Sequence, residues 1–367
     1  MKTKRLLALI LALVFAAACL GACGSADSST ADSAAEESEA AQETEAAGSS
    51  ETMTLIMATA YNEGSVQHDL LMYMVDYIEE ATSGAITFQT YVGGTLCTMA
   101  EEFSYVQSGA IDLACVMQGM ASSAMPLWQI GALGLDAESG VEIFNYVANE
   151  NEETSALMQA QAEEAGVHAF GYNIGDYNGI VCKSYASTLS DLDGRAFGIP
   201  AQGASVYEAL GMSTVTCETS DAYESLSRGV VDTFCAGISS IVNMNLCEVA
   251  ESCIVITATG GTGIIMLNDE TWNSLTQEQQ EIFDAAYEEA LAYMIEQYDT
   301  VLMPEYEAAI EAECELVYLE GEELDEYIEI KTESGVESYV SAAETLDCLD
   351  DYYTVNDTAT AYAESLR

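Results

Sequence analysis

The stretch EEFSYVQSGAIDLACVM, residues 101–117, joins a short helix to a buried strand through one break at Ser108 and Gly109. The strand that follows is almost wholly apolar, and Gly109 is predicted to end the helix with a positive φ. The same order returns in SDAYESLSRGVVDTFCAGI, residues 220–238, with Gly229 as the break and Asp221 as the predicted helix cap. This recurrence predicts two α/β units in one chain.

Strands and helices alternate outward from both stretches. MTLIMATA (53–60) has the pattern of a strand, residues 65–84 that of an amphipathic helix, and AITFQTYVGG (85–94) that of a second strand. Strand–helix–strand order with short connections predicts sheets that are mixed and mainly parallel, covered by helices. The last third is predicted to be long helix interrupted only at Pro304.

These patterns predict an α/β fold of two lobes, with a long C-terminal helix that bridges them. The expected organisation is a signal peptide at 1–22, a disordered acidic tether at 23–51, lobe I at 52–174 with a strand from about 257–268, lobe II at 175–256, and a helical region spanning both lobes at 269–367. Two such lobes can close on a ligand held at the carboxyl ends of their strands.

The first 23 residues predict the compartment. MKTKRLLALILALVFAAACLGAC has a basic start, a short apolar run and then Cys23, a pattern that looks like a bacterial lipoprotein signal. Cys23 is therefore the expected lipidation site, and an ordinary secretory signal or anchor helix is the alternative. Either interpretation predicts an extracytoplasmic protein, held at the outer face of the membrane by its lipid or free in the periplasm.

Composition excludes several functions. The chain has 8 Lys and Arg against 62 Asp and Glu, and a formal net charge of −54 disfavours nucleic acid as a partner. No cysteine pair has C-x-x-C spacing and the two histidines lie apart from any cysteine cluster, so neither a metal site nor a cofactor is predicted. Nine cysteines follow Cys23; buried free thiols are the first expectation and one or two disulfides the alternative.

Five segments together resemble the solute-binding proteins of tripartite ATP-independent periplasmic (TRAP) transporters, the DctP-like family. The resemblance runs from about Leu55 to about Leu316. Its segments are ATSGAITFQTYVGGTL (81–96), EEFSYVQSGAIDLACV (101–116), LSDLDGRAFGIP (189–200), SDAYESLSRGVVD (220–232) and MLNDETWNSLTQEQQEIFDAAYEEA (266–290). The resemblance implies a periplasmic-binding-protein-like clamp, a small organic solute as ligand and the TRAP permease membrane subunits as partners.

The family positions that bind a carboxylate are altered. The family strand GlKiRvP supplies an Arg for this purpose, and the resemblance places Gly198 at that position, with Arg195 off the ligand face. A second family Arg maps to about Asn178, and a family Asn maps near Ala236. The missing side chain of Gly198 is expected to leave room and no charge in the cleft.

Further cleft residues are inferred from the same resemblance. They are Tyr61, Asn62, Glu63, Gln118, Asp176 and Tyr177. An aromatic and acidic cleft without Arg favours a neutral or cationic solute. A typical carboxylate ligand stays open, held by Lys183 or by backbone N–H groups of ATGGTG at 258–263.

Other functions are weighed against the receptor. A binding protein for an ABC permease or a sensor would share the fold. An enzyme is not predicted, because the chain has no G-x-S-x-G or H-E-x-x-H motif and only two histidines. A surface adhesin would explain acidity and lipidation but predicts no response to small molecules.

Overall fold

The computed structural model describes residues 52–130, 137–199, 204–217, 219–257 and 263–366. The predicted signal at 1–22, the lipidation site Cys23, the tether at 23–51 and residues 258–262 of the ATGGTG segment lie outside the described residues.

Eleven strands are present among the described residues. They are β1 (Met53–Ala58), β2 (Ile86–Tyr91), β3 (Leu113–Met117), β4 (Val167–Tyr172), β5 (Asn178–Cys182), β6 (Ala196–Ile199), β7 (Ser213–Thr216), β8 (Thr233–Gly237), β9 (Ser252–Ile256), β10 (Gly263–Asn268) and β11 (Glu315–Tyr318). All eleven are four to six residues long, as their short apolar runs predict.

Twelve α-helices cover these strands within the same residues. They are α1 (Val66–Ala81), α2 (Glu102–Gln107), α3 (Ala137–Asn145), α4 (Glu152–Glu164), α5 (Ala204–Ala209), α6 (Ala222–Arg228), α7 (Ile238–Asn243), α8 (Asp269–Ser274), α9 (Gln277–Gln297), α10 (Met303–Glu311), α11 (Gly321–Thr345) and α12 (Leu349–Leu366).

The strands form two mixed sheets. The first has the order β2-β1-β3-β10-β4, and the second the order β11-β9-β5-β8-β6-β7. In the first, β10 runs antiparallel to both β3 and β4. In the second, β5 runs antiparallel to β8 and β9, while the other neighbours pair in parallel. The α/β fold class is confirmed. The exact lobe boundaries stay a prediction.

The two helix–glycine–strand units form as expected, with one exception at a cap. Gly109 has a φ of 71° and Gly229 a φ of 70°, so each ends its helix in the left-handed conformation that glycine adopts without strain. Asp221 precedes α6, but its side chain makes no capping hydrogen bond. The prediction that Asp221 caps this helix is therefore wrong.

A continuous apolar core connects the two sheets. It contains Leu55 of β1, Leu71 of α1, Phe234 of β8, Ile238 of α7 and Phe283 of α9. The two sheets therefore share one apolar core.

The C-terminal helices pack against elements that belong to the two sheets or cover them. Helix α9 packs on α1, and α10 packs on α7 and β11. A π-helical turn at Tyr298–Leu302 separates α9 from α10, directly before Pro304. The region 269–367 is not helical throughout, because β11 pairs in parallel with β9. The periodicity of the flanking helices did not indicate this strand, because it is only four residues long.

All nine cysteines that follow Cys23 are free thiols. Six are buried and three are half-buried: Cys97, Cys115, Cys182, Cys217, Cys247 and Cys253 in the first group, Cys235, Cys314 and Cys348 in the second. Among the described residues, no helix is long and apolar enough to cross a membrane.

Candidate functional site

The carboxyl edge of the first sheet gathers several loops. Because β10 is antiparallel to its neighbours, its first residue, Gly263, lies beside Met117 at the end of β3. The segment after β1, Gln118 after β3 and Asn173 after β4 therefore meet at the same edge. Asn173 confirms this arrangement, since its Oδ1 accepts a hydrogen bond from the Gly263 N–H at 2.6 Å.

The second sheet presents a corresponding edge. Asn178, the first residue of β5, pairs with Gly237 at the end of β8 and with Ile256 at the end of β9. The crossover at 173–177 leaves the carboxyl edge of the first sheet and enters this edge of the second. Open α/β sheets bind ligands at such edges, so we call the region between these two edges the cleft.

The predicted residues after β1 lie in a tight loop. The N–H of Tyr61 donates to the Thr59 hydroxyl at 3.2 Å, and its carbonyl accepts from the Gly93 N–H at 2.9 Å. Asn62 and Glu63 are exposed, while Tyr61 is half-buried against the apolar core. Burial, with nearby Cys115, Glu102 and Asp176, raises the Tyr61 pKa well above its usual value. Tyr61 therefore lies near two acids, Glu102 of helix α2 and Asp176 of the crossover.

The polar groups of Gln118 make hydrogen bonds to neighbouring residues of the chain. Its Nε2 donates to the Trp128 carbonyl at 2.8 Å, and its own carbonyl accepts from Gln129 Nε2 at 2.8 Å. The residue is 8% exposed. These bonds fix the turn that follows β3, so Gln118 shapes this edge of the cleft.

Asp176 and Tyr177 form a network with α7 and the π-helical turn. Asp176 Oδ2 accepts from the N–H and the hydroxyl of Ser239 at 3.0 and 2.7 Å. Its Oδ1 accepts from the Tyr298 hydroxyl at 2.8 Å, and that hydroxyl accepts from the Tyr177 N–H at 2.7 Å. Asp176 is 6% exposed, and burial raises its pKa in spite of these bonds. Both carboxylate oxygens are thus occupied by protein donors.

The three positions matched to family ligand residues differ in their surroundings. Asn178 and Ala236 are half-buried at the edge of the second sheet. Gly198 lies in β6, and a Cβ there would approach Phe234 at 3.0 Å and Val231 at 3.1 Å. The expectation that Gly198 leaves room in the cleft is therefore wrong, because the core of the second sheet fills that space.

Three of the described cations, Arg195, Lys183 and Arg228, make their printed bonds away from the cleft edges. Arg195 donates from Nε, Nη1 and Nη2 to the carbonyls of Asp191, Ser184 and Tyr185 at 2.6–2.8 Å. These three bonds hold the backbone of the segment between Ser184 and Arg195 in place, so the role of Arg195 is structural. Lys183 follows the carboxyl end of β5 and donates to the Ser227 carbonyl at 2.9 Å.

Lys183 and Asn178 lie at opposite ends of β5 and therefore at opposite edges of the second sheet. Lys183 does not replace the Arg that the family has at the cleft. Arg228 pairs with Glu224 on the surface at 2.8 Å. Lys331 lies near Cys235, and burial lowers its pKa to about 8. Among the residues described, no group of three or more His, Cys, Asp or Glu is arranged to hold a metal ion.

Glu102 was not singled out from the sequence, although it lies at the cleft. Its Oε1 accepts from the Ala60 N–H at 2.5 Å. The side chain is fully buried, and burial raises its pKa to about 8. Glu102 lies one turn before Val106 in α2, so the sequence signal was a carboxylate on the apolar face of a helix.

Comparisons with known proteins agree on one family. A profile of the family described as "Bacterial extracellular solute-binding protein, family 7" (DctP) matches residues 57–339. The uncharacterized protein YiiZ of Salmonella typhimurium is 24% identical over 241 residues, which cover 65% of this chain and 73% of that protein. A solute-binding protein of Sulfitobacter sp. NAS-14.1 is 25% identical over 243 residues, covering 64% and 72%.

Solved structures share the fold. A TRAP periplasmic solute-binding protein of Desulfovibrio salexigens with bound orotic acid has a TM-score of 0.73 at 16% identity, covering 85% of this chain and 100% of that one. A Sulfitobacter TRAP protein with bound α-D-taluronate has a TM-score of 0.66 at 21% identity, covering 83% and 98%. These likenesses confirm the two-lobe clamp.

Proposed function

Because the chain belongs to family 7 of the bacterial extracellular solute-binding proteins, the DctP family of TRAP receptors, we propose that it captures a neutral or positively charged small organic solute and delivers it to TRAP permease subunits. Members of this family bind their ligands and do not transform them, so the chain is a receptor and not an enzyme. The clamp fold suits that task, since closure of two lobes encloses a solute.

The charge at the cleft carries the proposal about the solute. Glu102, Asp176 and the exposed Glu63 lie along its edges, while Lys183, Arg195 and Arg228 bond to groups elsewhere. An anionic solute would have to approach acidic side chains in a chain of net charge −54. Burial raises the Glu102 pKa to about 8, so this side chain is mostly protonated at pH 7 and an anion would oppose its ionisation, whereas a cation would favour it. A neutral or cationic solute avoids that electrostatic cost.

A carboxylate solute is the second candidate, and the relatives favour it. The structures named above hold orotic acid and α-D-taluronate, and a marine metagenome TRAP protein at 18% identity, with a TM-score of 0.69, holds pyroglutamate. Backbone N–H groups alone can bind such anions. An ABC permease or a sensor as the partner is a further alternative, which genes for TRAP membrane subunits beside this one would exclude.

A thermal-shift screen of the purified chain tests the receptor function. The compounds are carboxylates, sugar acids, polyols, nucleosides and amines. At 100 times its Kd, a ligand should stabilise the folded protein by about 2.7 kcal/mol, and we expect the stabilising compounds to be neutral or cationic. Stabilisation by sugar acids or dicarboxylates alone would contradict the proposed solute charge, and turnover of a bound compound would contradict the receptor function.

We propose lipid anchoring at Cys23 as the means of attachment. A lipid on this cysteine would keep the receptor near its permease, and residues 23–51 would serve as the acidic tether. A Cys23→Ser variant is expected to leave the membrane fraction and enter the soluble extracytoplasmic fraction. Mass spectrometry of the N-terminal peptide should find diacylglycerol on Cys23 of the wild-type protein, and an unmodified Cys23 in the membrane fraction would refute the proposal.

A further inference from the structure

We propose that the solute carries a protonated amine and that Glu102 is the carboxylate that pairs with it. This inference rests on the proposed receptor function and names the chemical class of its ligand. It concerns a side chain for which neither the family resemblance nor the comparisons assign a role.

The position of Glu102 places its carboxylate at the cleft. Helix α2 carries the side chain to the end of β1, where Oε1 accepts a hydrogen bond from the Ala60 N–H. The next residue of that loop is Tyr61, which lies near both Glu102 and Asp176. The carboxylate is therefore next to the loop that faces the crossover between the sheets.

One oxygen of this carboxylate has no partner. Glu102 Oε2 is buried and makes no hydrogen bond with any described residue. Asp176, the other buried acid of the cleft, receives three donors. A buried acceptor without a donor destabilises the folded protein, and more so when it is charged. A donor supplied by the solute would remove that cost.

A second unpartnered group lies at the same edge. Asn173 Nδ2 is buried and has no partner among the described residues, while Asn173 Oδ1 holds Gly263. A Cβ added at Gly263 would approach the sulfur of Cys115, which is also near Glu102. The carboxyl edge of the first sheet thus presents one free acceptor and one free donor around Cys115.

The surroundings of Glu102 favour a cation as the donor. The titratable groups that face it are Cys97, before α2, Cys115 of β3 and Tyr61, after β1. Burial raises the pKa of each above its usual value, to about 11 for Cys97, so all three are neutral at pH 7. Glu101 precedes Glu102 but is exposed.

No described cation balances the charge of an ionised Glu102, so the solute is the group available to do so. An ammonium donates a hydrogen bond and cancels the charge at once, and the ring of Tyr61 can add a cation–π contact.

The test uses the purified full-length chain and matched pairs of probes. Each pair is a small primary amine and the alcohol of the same carbon skeleton, with malate and glucuronate as anionic probes. Thermal shift identifies the ligands and titration calorimetry measures their Kd. We expect stabilisation by an amine and not by its alcohol, with about one proton released per ligand at pH 7, because pairing ionises Glu102.

Two variants separate ligand binding from folding. Glu102→Gln keeps the shape and the bond from Ala60, and is expected to weaken amine binding at least about 30-fold while its Tm stays at or above that of the wild-type protein at pH 7. Glu102→Asp keeps the charge and should lose less. Glu101→Gln, the matched control on the exposed neighbour, should bind as the wild-type protein does.

The outcomes distinguish the inference from the receptor function. Binding of alcohols or anions in preference to amines leaves a receptor but refutes the amine. Equal amine affinity in the wild-type protein and in Glu102→Gln refutes the role of Glu102. A chain that no probe stabilises counts against the receptor function and the inference together.

Discussion

A Glu102→Gln variant is expected to match the stability of the wild-type protein within about 1 kcal/mol at pH 5 and to exceed it by about 3–5 kcal/mol at pH 8. The reason is the pKa of Glu102, which burial raises from the usual 4.5 to about 8. Each pKa unit corresponds to about 1.4 kcal/mol. Urea denaturation of both proteins at several pH values between 5 and 8 measures the difference.

The sign follows from proton binding. Between pH 4.5 and 8 the folded protein keeps the Glu102 proton that the unfolded chain has released, so stability falls as the pH rises through this range. Glutamine has no proton to lose, and that part of the slope disappears. His168, whose pKa burial lowers to about 4, acts in the opposite direction below pH 6.5, but equally in both proteins.

Glu101→Gln serves as the control for this prediction. Bonds from Thr98 lower the Glu101 pKa, so this exposed carboxylate does not titrate between pH 5 and 8. Its variant should keep the slope of the wild-type protein. Parallel curves for Glu102→Gln and the wild-type protein would mean that Glu102 is ionised and balanced in the folded state.

An Asp176→Ala variant is expected to lose about 3–5 kcal/mol of unfolding free energy. The change removes the acceptor for the N–H and hydroxyl of Ser239 and for the hydroxyl of Tyr298, and these donors are buried. Chemical denaturation at pH 7 measures the loss. Because the network joins the crossover to α7 and to the π-helical turn, affinity for any ligand found in the screen should fall as well.

Asp76→Ala is the matched control, since Asp76 is exposed on α1. It should change stability by no more than about 0.5 kcal/mol. An Asp176→Ala protein as stable as this control would show that the network contributes nothing to folding. Loss of stability with unchanged ligand affinity would instead restrict Asp176 to a structural role.

Local patterns were enough to predict the elements of the fold. Apolar runs with period 2 or 3.6 and glycines such as Gly109 and Gly229 depend on neighbours within one or two turns, so they can be identified without tertiary information. The two-lobe α/β class followed from their order. The short strand β11 was missed, because four residues between long helices carry too little pattern and become a strand through pairing with β9.

The candidate site was less accessible from sequence. Positions matched to the family, such as Tyr61, Asp176 and Asn178, do lie at the cleft edges, because strand ends follow from strand order. The hydrogen-bond partners of these side chains could not be predicted from the strand order. Asp176 is occupied by Ser239 and Tyr298, which are 63 and 122 residues away in the chain.

What the sequence by itself determined is therefore the order of strands and helices, the acidic charge and the family. Only the tertiary structure decided that Gly198 packs against Phe234, that Arg195 binds backbone carbonyls, and that Glu102 is buried with one oxygen unpartnered. Elements are specified by local periodicity, whereas burial, and with it the pKa and the free bonding capacity of a side chain, depends on residues that meet only in the folded chain.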